Sequence, residues 1–309
     1  MDLFKKILIT ELNGILTHYN RAGFLDEPVE KYLAIFYGLN LLWTDANNHD
    51  LLSSHNGGDK NMFKSLLKIL DNTNEGKCFV ISDALKRFIE FRPKVMDMHV
   101  LATGHYNPSG LDNDLKTKAE EKHTALIEGY SKFLRGEKSQ ADFLDLVADL
   151  MYTIRSNISH GEKTVSGPDT KQVERDRLVS EAAFPVADLL MKIFLGISPG
   201  LLATYGTLMK EEILERLSVS AKEVESDFFI QGKVCHNNGL NYFKWRADGD
   251  RVKVKIYDVR NPEADFKKLQ KYEGEKYRLI HVPLFESGGQ LVSPVAVYQL
   301  NTNTYRDLC

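Results

Sequence analysis

The first half of the chain repeats apolar residues at three- and four-residue spacing, the pattern of helices that bury one face. Leu3, Ile7, Leu8 and Leu12, followed by Ile15 and Leu16, mark one side of an opening helix. Residues 27–43 place Val29, Leu33, Phe36, Tyr37 and Leu41 along a second. The signal returns over residues 61–70 and 82–91, where Ser82 is suited to cap and Asp83 to sit in the first turn. Residues 141–154 align Phe143, Leu144, Val147, Met151 and Ile154. Residues 173–195 form a longer striped segment, with a bend predicted at Pro185, which has no amide to donate. Polar stretches at 44–60, 104–115 and 161–171 read as loops.

After Gly196 the period shortens. ISPG is a breaker cluster, and residues 201–204 form a short apolar strand that ends at Tyr205-Gly206. FFIQGKVC, VKVKIYDV, YRLIHVPL and SPVAVYQL follow as Val-, Ile- and Tyr-rich strands separated by turn residues, with helices at 211–217 and 262–271. The reading is an all-α N-terminal domain over residues 1–197, then an α+β domain over residues 198–309 with a small mixed β-barrel or sheet.

Charge and composition narrow the classes. The 309 residues carry 40 Lys plus Arg against 43 Asp plus Glu, a formal charge of -3, which argues against a surface coated for long nucleic acid. A local RNA site stays open. Cys78, Cys235 and Cys309 are too few and too scattered for a disulfide framework or a Cys-rich zinc module. No apolar run reaches the roughly 20 residues of a spanning helix. The opening apolar stretch is broken by Glu11 and Asn13, unlike a signal peptide, so a cytoplasmic protein with no membrane partner is expected. His18, His49, His55, His99, His105, His123 and His281 show no metal-site spacing, and DNTNEG (71–76) lacks the ligand period of a calcium loop. Neither metal nor organic cofactor is expected.

Four patterns follow in order within the C-terminal part. Tyr205-Gly206-Thr207-Leu208 comes directly after a strand, where glycine permits a sharp turn with exposed amides. Residues 232–242 read GKVCHNNGLNY, residues 252–259 form a strand, and residues 269–278 read LQKYEGEKYR. This ordered set resembles the gamma-glutamylcyclotransferase-like family, which includes plant avirulence-induced proteins, over roughly residues 201–300. Tyr205 to Leu208 match its YG(S/T)L loop. Leu269, Glu273, Gly274 and Tyr277 match its LDxxEGxxYxR signature, with Arg278 one place early and Gln270 where aspartate is usual. Gly232, Val234, Gly239 and Tyr242 match its middle segment loosely, Cys235 standing for tyrosine and Phe243 for proline.

The resemblance implies cyclisation of a γ-glutamyl amine or peptide to 5-oxoproline with release of the free amine. It makes Glu273 the general acid and base, and it puts the amides around Gly206, Thr207 and Leu208 on the substrate carboxylate or developing oxyanion. Composition alone reads Glu273, beside Glu275 and two lysines, as a solvated turn. Tyr205, Tyr277 and Tyr298 are expected around the substrate, as pocket walls or core. Arg278 either contacts a substrate carboxylate or pairs at the strand edge. Cys235 and His236 are not expected to act as a nucleophile and base, because successive strand residues face opposite sides.

In the helical half, Arg155-Ser156-Asn157-Ile158-Ser159-His160 ends a striped helix, enters a polar loop and is followed by a long helix. Position and spacing resemble the HEPN superfamily of helical bundles, whose signature is Arg, four to six residues, then His. The resemblance implies metal-independent RNA cleavage: Arg155 stabilises phosphoryl charge, and His160 moves the 2′-hydroxyl proton, with Asn157 and Lys163 in support. Five residues on a helix turn about 500°, leaving Arg155 and His160 about 140° apart, so a helix end or a second copy must bring them together. A homodimer through the helical domain is expected. Arg155 as a helix-end charge with His160 bonded in its loop is the plainer reading. Function thus stands between a cyclotransferase, an endoribonuclease with the C-terminal domain as its sensor, and a non-catalytic ligand-binding dimer.

Overall fold

The computed structural model of the chain describes residues 9–52, 58–91, 113–159, 170–237 and 240–301. It divides into two compact units, Thr17–Ile193 and a second comprising Asp2–Leu16 with Phe194–Cys309. Among the described residues, the helices before the sheet are α1 (Ile9–Phe24), α2 (Pro28–Asn48), α3 (Asp59–Lys68), α4 (Asn74–Val80), α5 (Asp83–Glu90), α6 (Asn113–Leu134), α7 (Gln140–Ser159) and α8 (Thr170–Leu195).

Helix α7 buries all five residues of its expected stripe. Helix α2 follows its expected stripe only in part, with Val29 and Phe36 buried. Tyr37 and Leu41 lie at the surface, while Tyr32, Phe36, Leu39 and Trp43 face inward. The segment is apolar on almost every side, so spacing alone admits several stripes. The aromatic cluster selects one, with Phe36, Trp43 and Phe63 meeting at centroid distances of 5.2–5.7 Å.

Helix α2 also runs on to Asn48, through residues expected in a loop, with Ala46 buried on the same face as Trp43. The segment excluded as a calcium loop holds the start of α4, whose Thr73 Oγ1 accepts the Gly76 N–H at 2.9 Å. Ser82 caps α5 as expected, accepting the Leu85 N–H. Pro185 lies inside α8 on its exposed side.

The second unit contains β1 (Leu201–Thr204), a short 3-10 turn (Gly206–Met209), α9 (Glu211–Arg216), β2 (Ala221–Asn237), β3 (Leu240–Trp245), β4 (Asp250–Val259), α10 (Pro262–Glu273), β5 (Tyr277–Glu286) and β6 (Leu291–Leu300). Strand order is β3-β2-β4-β1-β6-β5, and a further pairing of β2 with β5 closes the sheet. The closed ring is β2-β4-β1-β6-β5, a small barrel. It is mixed because β1 runs parallel to β6 and antiparallel to β4. A register break between Val224 and Phe228 bends the long β2, as a bulge does.

Strand β5 meets β2 only over Leu284–Glu286, and beyond that point β3 takes the same edge of β2. Leu202, Leu208, Leu214, Val219, Tyr257, Leu269 and Tyr298 form a core that α9 and α10 help to enclose.

Candidate active site

The site lies where the start of β5 diverges from β2 and β3 fills the gap. Among the described residues the outward edge of β3 has no strand partner over residues 241–245, and side chains from three elements meet it instead. Tyr277 Oη donates to the Asn241 carbonyl at 3.3 Å, Phe243 N–H donates to Tyr205 Oη at 3.2 Å, and Trp245 N–H donates to Gln299 Oε1 at 3.2 Å. These alternate positions face away from β2, so the bonds complete backbone groups that a ladder would otherwise serve. The seam is reinforced by rings: Tyr277 stacks on Tyr242 and Tyr205 tilts against Phe243. Gly232 lets Phe243 approach, since a Cβ there would collide with its ring.

Beside this seam is a cavity. Ala203, Thr204, Tyr205, Gly206, Thr207 and Leu208 supply one wall, and Asn241, Glu273, Tyr277 and Tyr298 the rest. Gly206 sits at φ +61°, a conformation that favours glycine, and having no side chain it presents backbone to the cavity. Thr204 Oγ1 bonds the Lys255 carbonyl, and Tyr257 Oη donates to the Met209 carbonyl, so the loop is held at both ends.

Glu273 is the last residue of α10, half-buried, and the only ionisable carboxyl or base among the described residues lining the cavity. Burial without a charge partner pushes its carboxyl up from the ordinary 4.5 to about 7. The same carboxyl acts on the tyrosines around it. Burial and then Glu273 push Tyr277 up to about 12, and burial also drives the Tyr298 and Tyr205 hydroxyls upward. All three remain protonated at neutral pH and act as hydrogen-bond donors or as walls. Tyr298 Oη is already bonded to the Phe266 carbonyl at 3.1 Å, which ties β6 to α10.

The turn after Glu273 is as constrained as the loop opposite. Gly274 adopts φ +74°, ψ -171°, a combination essentially confined to glycine, and its N–H donates to the Gln270 carbonyl at 2.8 Å. Gly274 is therefore needed for conformation rather than for space, because no atom lies within 4 Å of a Cβ built there.

Tyr205, Gly206, Thr207, Leu208, Glu273, Tyr277 and Tyr298 thus converge on one cavity. Arg278 does not line it. It follows Tyr277 on β5, and strand alternation sends its side chain away from the side that Tyr277 and Leu279 share. Cys235 is disulfide-bonded, so it offers no thiol to pair with His236. Asn241, Thr204 and Ala203 were not legible as site residues. Asn241 lies in the GLNY segment, but only the closure of the barrel brings that hairpin over Gly206.

In the helical unit, Arg155 lies near the end of α7, half-buried, with its guanidinium 5.7 Å from the Tyr152 ring centroid. Asn157 is in the same helix. His160 and Lys163 lie outside the described residues. Among the described residues no cluster of three or more His, Cys, Asp or Glu could hold a metal ion, and no helix is long and apolar enough to cross a membrane.

The C-terminal unit is thus a closed mixed barrel in which a glycine turn and a half-buried glutamate line one cavity. Residues 202–308 match the family described as gamma-glutamyl cyclotransferase, AIG2-like. The crystal structure of YkqA from Bacillus subtilis is similar at 19% identity and a TM-score of 0.28, over 33% of this chain and 36% of that one. The chain therefore spans about a third of that protein's length. No curated protein matches. The HEPN resemblance of the helical unit receives no support from these comparisons.

Proposed function

We propose that the C-terminal unit cyclises a γ-glutamyl amine or peptide to 5-oxoproline and releases the free amine. The observation that carries the reading is Glu273, raised to about 7 and facing the Gly206 to Leu208 turn across a single cavity. The substrate's α-nitrogen attacks its own γ-carbonyl carbon. A ring C–N bond forms, and the bond from that carbon to the departing nitrogen breaks. The attack is intramolecular, so the cavity's main task is to hold the folded conformer.

The attacking nitrogen sheds two protons and the departing nitrogen gains two. A single carboxyl can carry them one at a time, as carboxylate and then as acid, most effectively with a pKa near the working pH. Among the described residues the cavity lining holds no lysine or arginine, so backbone amides of the glycine turn are assigned the substrate's carboxylate or oxyanion. The test is to incubate purified protein with a panel of γ-glutamyl amines and peptides and follow 5-oxoproline by mass spectrometry. Release by the parent and loss in Glu273→Gln is the expected result. Release that survives Glu273→Gln removes this assignment, and absence of release across the panel favours a ligand-binding module.

For the helical unit the proposal is RNA cleavage by Arg155 and His160 in a homodimer. It is supported by the sequence motif and by Arg155 near the end of a long helix that precedes another. Loss of RNase activity in His160→Ala, with an unchanged sedimentation coefficient, is its test.

A further inference from the structure

The residue three positions before Glu273 makes an arrangement that the proposed chemistry does not itself require. Gln270 is partly buried on the last turns of α10, and its Nε2 donates to two carbonyls, Gly274 O and Tyr277 O, each at 3.0 Å. Both partners can only accept, so the amide orientation is fixed by them. The two carbonyls belong to residues on either side of the turn that joins Glu273 to β5. Tyr277 is itself a wall of the cavity. Main-chain bonds run alongside, from Gly274 N–H to the Gln270 carbonyl at 2.8 Å and from Tyr277 N–H to the Gly274 carbonyl at 3.3 Å. The side chain therefore spans a turn that already contains a glycine-only conformation, and it fixes the end of the helix against the start of the strand.

From this geometry we propose that Gln270 is the positioning residue for Glu273, clamping the helix end so that the carboxyl stays inside the cavity facing the glycine turn. The inference rests on the proposed role of Glu273 as acid and base. Without the clamp the end of α10 loses its side-chain tie to the start of β5, and Glu273 can swing toward water. Its proton affinity, which comes from burial with no charge partner, then falls. The reacting geometry is lost as well, although the walls that bind substrate stay in place. A merely structural role would lower stability while leaving the titration of Glu273 where it was.

The experiment uses the full chain and Gln270→Met, which keeps the length of the side chain, adds no charge and removes both donors. Gln270→Asn, one methylene shorter, serves as the second variant should the first fold poorly. Carboxyl ¹³C NMR, with the Glu273 signal assigned by its absence in Glu273→Gln, gives the titration midpoint without any substrate. Turnover of the best substrate then gives kcat and KM. The expected result is a midpoint near 7 in the parent and at least one pH unit lower in the variant, with kcat down about tenfold and KM within about twofold. A raised midpoint that is the same in parent and variants overturns the role of Gln270 while leaving Glu273 as the base. A parent midpoint near 4.5 removes the base itself, and this role with it.

Discussion

Replacing Glu273 by Gln should stabilise the C-terminal unit, and the gain should depend on pH. The carboxyl ordinarily titrates near 4.5, and burial holds it to about 7. The unfolded chain releases this proton as pH rises past 4.5, while the folded chain keeps it until about 7. Across that window the folded state binds more protons, so the raised pKa lowers stability with rising pH and the full penalty is present above 7. A displacement from 4.5 to about 7 corresponds to about 3 kcal/mol at most, since the group is half-buried and water reaches part of it. Glutamine has nearly the same shape and no titration. Parent and variant should therefore match below pH 4.5, and Glu273→Gln should be the more stable by up to about 3 kcal/mol at pH 8.

Urea unfolding at a series of pH values measures this. The chain has two tryptophans, and Trp245 on β3 reports on the C-terminal unit in a Trp43→Phe background. A stability difference that is flat from pH 4 to 8, or that shrinks as pH rises, refutes the argument that Glu273 is held uncompensated in the cavity. The same penalty drives the carboxylate to take a proton, so the variant that gains stability should lose turnover by about 10²- to 10⁴-fold.

Three further outcomes follow from the geometry. Gly274→Ala forces a side chain into a conformation that glycine alone adopts readily, and should cost about 1–3 kcal/mol by thermal unfolding. It should also reduce kcat by moving Glu273. Tyr205→Phe leaves the Phe243 N–H without its acceptor and should cost about 1 kcal/mol, read as a lower urea midpoint with an unchanged slope. Asp265 is buried, accepts the Ser220 N–H and meets Lys268 at 2.6 Å, so Asp265→Ala should destabilise by about 1–3 kcal/mol in the same assay.

Much of this site was readable along the chain, because its parts are local. A strand followed by YGTL gives a turn whose glycine must adopt positive φ, and Glu273-Gly274 at a helix end announces a constrained stop. Ser82 as a cap and the apolar stripe of α7 were legible for the same reason, since each depends on residues within a turn or two. The misreadings have a shared cause. Helix α2 offers several apolar stripes, and the choice between them is made by Phe63, on another helix. Arg278, left open between a substrate contact and a strand-edge pair, does not line the cavity. Strand β3 escaped notice because its outer edge is satisfied by side chains from distant elements, not by a ladder that alternation would signal.

The sequence by itself determined most of the helical and extended segments, where the period changes, and where the short motifs lie, because those properties follow from backbone sterics and local hydrogen bonding. The tertiary structure alone decided that Glu273 sits in a cavity with no charge to offset it, since a carboxyl's proton affinity depends on what surrounds it and not on its neighbours in the chain. It also decided that Asn241 and Gln270 belong to the site. One comes from a hairpin that barrel closure carries over Gly206, and the other reaches carbonyls of a turn that exists only once α10 packs beside β5.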